Sequence, residues 1–202
     1  MLIEDRDVQV DLTTTPSDRR AGGKRHQSVL LVGKVRRGDV ESACLVHDIS
    51  RRGLMARFTV PPVEGEALII EVRGLAPASG TIRWVKGRKA GFQFDEPQAV
   101  EQIFRLKRDD GMTARPPRFP LYARATMRLE GERFGSEALD ISAGGIKLAS
   151  DHAVHPGQTG QVTLNDTGTA LFGRVCWVRE NQFGFRFMSP LPLETLAQIL
   201  SR

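Results

Sequence analysis

The chain has 202 residues, 40% of them hydrophobic, and a formal net charge of +5. That is enough apolar material for one large core or for two of about 100 residues each, and no run approaches the ~18 apolar residues of a membrane helix. Basic and acidic residues mix in both halves, 19 against 16 over 1–110 and 10 against 8 over 111–202, so neither half is a one-sign block that selects a polyanion by charge alone.

Residues 1–18 are polar and carry acids where a secretory signal carries a basic start, so they are read as a flexible arm. A basic cluster, "DRRAGGKR", fills 18–25. Six short segments rich in β-branched or aromatic residues follow: "SVLLVGKV", "VESACLVHDI", "GLMARFTV", "ALIIEV", "GTIRWV" and "AGFQF". Turn signals such as "RRGD", "PPVEG" and "APASG" separate them. "PQAVEQIFRLKR" then places Ala99, Val100, Ile103 and Phe104 at helical spacing after a proline. The polar, Gly- and Pro-bearing stretch "RDDGMTARPPR" (108–118) reads as a linker.

The pattern then repeats. "LYARATMRL", "ERFGSEALDI", "GIKLAS", "GQVTL", "ALFGRVCWV" and "FGFRF" are six further strand candidates, and "PLPLETLAQILSR" closes with Leu193, Leu196, Ala197 and Leu200 as a helical stripe. "HDISRRG" (47–53) and "LDISAGG" (139–145) share Asp-Ile-Ser-x-x-Gly at an offset of 92, while Trp84/Trp177, Gly91/Gly184 and Phe94/Phe187 match at 93. Two landmarks in the same order at nearly one offset mark a tandem duplication. Six strands per copy suit a small closed barrel or a sandwich. Each terminal stripe is expected to pack on its own copy, the recurring tryptophans to lie in the cores, and Cys44 and Cys176 to be buried thiols of a cytoplasmic protein.

Asp-x-Ser-x-x-Gly is a natural turn between strands, since Asp and Ser bond nearby backbone groups and glycine allows a positive φ or a close backbone approach. A basic cluster precedes it in both copies, and Arg25 and Arg118 stand 23 and 22 residues ahead of Asp48 and Asp140. Guanidinium forks fit phosphates and the O6/N7 edge of guanine, and a carboxylate accepts from guanine's N–H edge.

On these residues the chain resembles two PilZ domains in tandem, over about 19–202. The signature of that family is Arg-x-x-x-Arg followed some 20-odd residues later by [Asp/Asn]-x-Ser-x-x-Gly. The resemblance implies two six-stranded antiparallel barrels, each followed by a C-terminal α-helix, in an all-β chain divided as 1–18, 19–110 and 111–202. It also implies cyclic di-GMP as ligand, held by Arg19, Arg20, Lys24, Arg25, Asp48, Ser50 and Gly53 in the first copy. In the second copy the implied set is Arg115, Arg118, Asp140, Ser142 and Gly145. The arginine element departs from the family pattern in both. Arg20 and Arg25 are five apart, Lys24 lacks the planar fork, and Ala114 stands four before Arg118, with Pro116 and Pro117 stiffening that arm. The second copy is therefore expected to be the weaker site.

"DHAVHPG" sets His152 and His155 beside Asp151 without the further ligands a metal needs. No nucleophile–base pair or phosphate loop appears, so no enzyme, metal or cofactor is expected. The paucity of aromatics argues against a single-stranded nucleic acid binder. The leading expectation is a cyclic di-GMP receptor that reorients its two barrels and signals to a protein partner in polysaccharide synthesis, motility or regulation. The alternative is a degenerate tandem that serves as a protein adaptor without nucleotide.

Overall fold

The structure, a computed structural model, describes residues 29–104 and 114–201. The first six strands are β1 (Leu31–Arg37), β2 (Val40–Ser50), β3 (Gly53–Phe58), β4 (Ala67–Val72), β5 (Ala78–Lys86) and β6 (Lys89–Phe94). They close in the order β1-β2-β3-β6-β5-β4, with β4 returning to β1. The next six are β7 (Phe119–Leu129), β8 (Glu132–Ser142), β9 (Gly145–Ala149), β10 (Thr159–Leu164), β11 (Thr169–Arg179) and β12 (Gln182–Phe187). Their order, β7-β8-β9-β12-β11-β10, repeats the first, and every pairing in both barrels is antiparallel. Closure pairs every strand on both sides and leaves no open edge.

Period-2 alternation fills each interior. In β3, Leu54, Ala56 and Phe58 point inward while Met55 and Arg57 face out, and in β12 Phe183, Phe185 and Phe187 do the same around outward Gly184 and Arg186. The two cores are separate apolar clusters. Bulges recur at matching places. One interrupts β2 between Val46 and Asp48 and its copy interrupts β8 between Ala138 and Asp140. A second pair interrupts β5 between Ile82 and Trp84 and β11 between Val175 and Trp177.

The terminal segments differ. The second barrel ends in α1 (Leu193–Leu200), whose buried residues are Leu193, Leu196 and Ile199, whereas Ala197 and Leu200 are only half-buried. In the first copy the described residues end in a 3₁₀ helix, Val100–Phe104. Val100 and Ile103 are buried there, but Ala99 and Phe104 are exposed, because a threefold turn cannot keep four such positions on one side. Residues 105–108 of the expected stripe lie outside the described residues.

Nor does α1 keep to its own barrel. Its apolar residues share one cluster with the second core, and that cluster takes in Ala43 of β2, with Val32 and Leu45 at its margin. An ion pair joins Arg57 to Glu194, and the Lys34 ammonium lies 5.4 Å from the centre of the Phe119 ring. No helix among the described residues is long and apolar enough to cross a membrane.

Candidate functional site

The repeated motif spans the β2–β3 turn and its copy, the β8–β9 turn. In the first, Ile49 points into the core and Ser50 pairs with Gly53 across the turn. The Ser50 hydroxyl donates to the Gly53 carbonyl at 3.1 Å, and Ser142 donates to Gly145 at 3.2 Å. The hydroxyl thus closes the turn by donating to a backbone carbonyl. The glycines are needed for close approach rather than positive φ: a Cβ on Gly145 would stand 2.7 Å from the Phe185 carbonyl oxygen, and one on Gly53 would collide with that of Phe92.

The two residues between Ser and Gly hold the last strand and the segment beyond it. The Arg52 carbonyl accepts from the Phe94 amide at 3.0 Å and the Arg51 carbonyl from the Gln98 amide at 2.7 Å. In the second barrel Gly144 accepts from Phe187 at 3.1 Å and Ala143 from Leu191 at 2.7 Å. The turn therefore clamps each barrel at the place where the chain leaves it.

The bulges decide what faces outward. His47 is the extra residue in β2, which sets the half-buried Asp48 opposite Met55. Arg83 is the extra residue in β5, which sets Trp84 opposite Gly91 on the outer surface. The Trp84 indole lies directly over Gly91, where any Cβ would collide with it, and Trp177 covers Gly184 in the same way. Trp84 is 42% exposed and Trp177 half-buried, so the expected core tryptophans are surface plates resting on glycine. Cys176 is the bulged residue of β11 and is exposed, which corrects its assignment as a buried thiol; Cys44 is buried in the first core.

In the first barrel these residues enclose a shallow cavity of about 480 Å³, lined by Asp48, Ser50, Gly53, Arg52 and Trp84 among others. Arg83 and Gln93 complete one side, with the Arg83 Nε donating to the Gln93 amide oxygen at 2.7 Å. Arg83 and Gln93 escaped the sequence reading, although their positions just before Trp84 and between Phe92 and Phe94 were available as a signal. Arg19, Arg20, Lys24 and Arg25 lie outside the described residues.

The arm of the second barrel is described. The Arg118 guanidinium is ion-paired with Asp140, both partly exposed, so the structure brings together two residues that the sequence set 22 apart. Ala114 is buried and Arg115 is exposed. Elsewhere, His152 lies 3.0 Å from Glu132 and stacks on Phe134. Carboxylates, guanidiniums and hydroxyls around a shallow outer cavity equip such a site to bind an anionic, hydrogen-bonding ligand.

Solved structures that match the chain include PlzA of Borreliella burgdorferi in complex with c-di-GMP, at 12% identity and TM-score 0.40, over 87% of this chain and 93% of that one. The motility inhibitor MotI/DgrA of Bacillus subtilis matches at 13% identity and TM-score 0.32, over 88% and 96%. YcgR of Escherichia coli in complex with c-di-GMP matches at 13% and 0.34, over 86% and 81%. No curated protein matches the chain. The family model of the PilZ domain matches twice, over residues 18–108 and 113–202. Two closed barrels of one topology, each bearing the same turn and each lying within one of those matches, accompany a family match over most of the chain, and the chain belongs to the PilZ domain family as a tandem of two PilZ domains.

Proposed function

We propose that the chain is a receptor for cyclic di-GMP, with one site on the outer face of each barrel at the Asp-x-Ser-x-x-Gly turn. The observation that carries this reading is the Arg118–Asp140 pair, since it sets an arm guanidinium against the motif carboxylate over a turn that the fold repeats. Guanine offers N–H donors to the carboxylate and O6/N7 acceptors to the guanidinium, so one base can engage both partners at once. The first barrel has the same turn and the cavity beside it, and the family resemblance, with its departure in arginine spacing, implies Arg19, Arg20, Lys24 and Arg25 as its arm residues. In this reading the protein binds and signals rather than catalyses. Ordering of the arms shifts the contact between the barrels through α1 and β2, and a protein partner reads the change.

The adaptor reading has one specific observation in its favour. Ala114 is buried where the signature has its upstream arginine, so the second arm has one guanidinium fewer. Titration of the intact chain separately with cyclic di-GMP, GTP and a generic single-stranded oligonucleotide separates these readings. Saturable binding of cyclic di-GMP alone, weakened by about 1–3 kcal/mol in Arg118→Ala or Arg25→Ala, is the expected result. Heat-silent titrations with all three would leave the adaptor. A salt-steep response to the oligonucleotide alone would favour nucleic acid.

A further inference from the structure

Because the barrels are copies, side chains at equivalent register positions can be compared one against one. Two cross-strand rows of outward positions run beside each motif. In the first barrel they read Asp48–Met55–Gly91–Trp84 and Ser50–Gly53–Gln93–Thr81. In the second they read Asp140–Lys147–Gly184–Trp177 and Ser142–Gly145–Arg186–Arg174. Three uncharged positions of the first barrel, Met55, Gln93 and Thr81, have thus become three cations.

Arg174 and Arg186 stand directly opposite one another on adjacent strands, and both are exposed. Like charges so placed destabilise a sheet. Among the described residues no carboxylate forms an ion pair with Arg174 or Arg186, and Asp140, which stands opposite Lys147, is ion-paired with Arg118. Neighbouring strands are about 4.8 Å apart and successive outward rows about 7 Å apart, so the three head groups fall within the span of one nucleotide. The first barrel carries its extra cations elsewhere: Arg51, Arg52 and Arg83 stand where the second has Ala143, Gly144 and Cys176.

We propose that Lys147, Arg174 and Arg186 form a phosphate-binding cluster on the outer face of the second barrel, which grips the phosphodiester of a nucleotide whose guanine is held at the Asp140 turn. The inference rests on the cyclic di-GMP reading and deepens it. The cluster supplies the charge that the second arm lost at Ala114. It does so from paired strands, so little ordering accompanies binding. The second site is then a salt-dependent site in its own right, and not a vestige of the first.

The test replaces each cation with its first-barrel counterpart, Lys147→Met, Arg174→Thr and Arg186→Gln, in full-length chains that also carry Asp48→Ala to silence the first site. All three positions lie on the outer surface, and a melting curve checks the fold; Arg186→Gln alone gives a milder second variant. The expected result is a loss of cyclic di-GMP affinity of about tenfold or more in the triple variant, with a salt dependence shallower than that of the parent chain. Arg186→Gln should fall between. Unchanged affinity and slope would overturn the inference, as would complete loss of binding in Asp48→Ala alone while the intact chain binds. If the intact chain binds no cyclic di-GMP, the functional reading fails by itself, and pyrophosphate at low salt then probes the cluster directly. Pyrophosphate binding that the triple variant loses would keep the anion site, and no such binding by the intact chain would remove it too.

Discussion

Cys44 sits in the first core, where burial pushes its thiol up from the ordinary 9.0 to about 12, whereas Cys176 rides outward on the β11 bulge. A thiol reagent at neutral pH should therefore modify one cysteine in the native chain and two once denatured, counted by mass spectrometry. The folded state holds the Cys44 proton more tightly than the unfolded chain. Its contribution to stability is then intact below about pH 9, where thiols of an unfolded chain begin to ionise, and is lost as pH rises toward 12. Denaturant unfolding at pH 8 and pH 10.5 should show a decline in stability that Cys44→Ala makes shallower. Trp84 illustrates what the sequence concealed. Its recurrence beside apolar residues reads as core, but one bulged residue at Arg83 shifts the alternation and puts the ring outside over Gly91. Trp84→Ala should accordingly cost less than about 2 kcal/mol in a melting experiment, below the toll of emptying a core, and should weaken cyclic di-GMP binding. Gly184→Ala should cost more, about 1–3 kcal/mol, because its methyl enters the Trp177 indole.

Among the elements, α1 and β2 carry the contact between the barrels. Residues Ala43-Cys44-Leu45-Val46 run apolar without alternation because both faces of β2 are covered. Cys44 and Val46 belong to the first core, while Ala43 and Leu45 meet the cluster that contains α1. That run was visible in the sequence, but a continuous apolar stretch does not say what covers its second face. The strands and the repeat were legible, since alternation and turn residues are local. The bulges were not, since an extra residue shows itself only in the register of the pairing, and the partner of α1 was not, since it lies far away in the sequence. Leu196→Ala, at a position with no solvent exposure, should destabilise the chain by roughly 2–5 kcal/mol. Glu194→Gln breaks an ion pair whose two side chains are 39% and 65% exposed, and should change stability by less than about 1 kcal/mol. Urea titrations of the two variants compare these outcomes directly.

For the whole molecule, two copies of one barrel carry two copies of the turn, and the packing of α1 on β2 joins them. We propose that the halves divide between Asp110 and Gly111. A fragment ending at Asp110 should fold as a barrel yet melt below the intact chain, because Val32, Ala43 and Leu45 lose their cover. Much of the candidate site was legible at this scale. Asp48, Ser50 and Gly53 and their copies were marked by repetition, and Arg118 with Asp140 by the spacing of the family signature. Lys147, Arg174 and Arg186 were not, because their proximity arises only from the register of β9, β11 and β12. The central claim is that the motif carboxylates hold nucleotide while the rest of each turn holds the barrel. Calorimetric titration of cyclic di-GMP into the intact chain and into Asp48→Ala/Asp140→Ala, each with a melting curve, tests it most directly. The account predicts saturable binding by the first, none by the second, and melting temperatures within a few degrees of each other. Equal binding by both chains, or none by the intact chain, would contradict it.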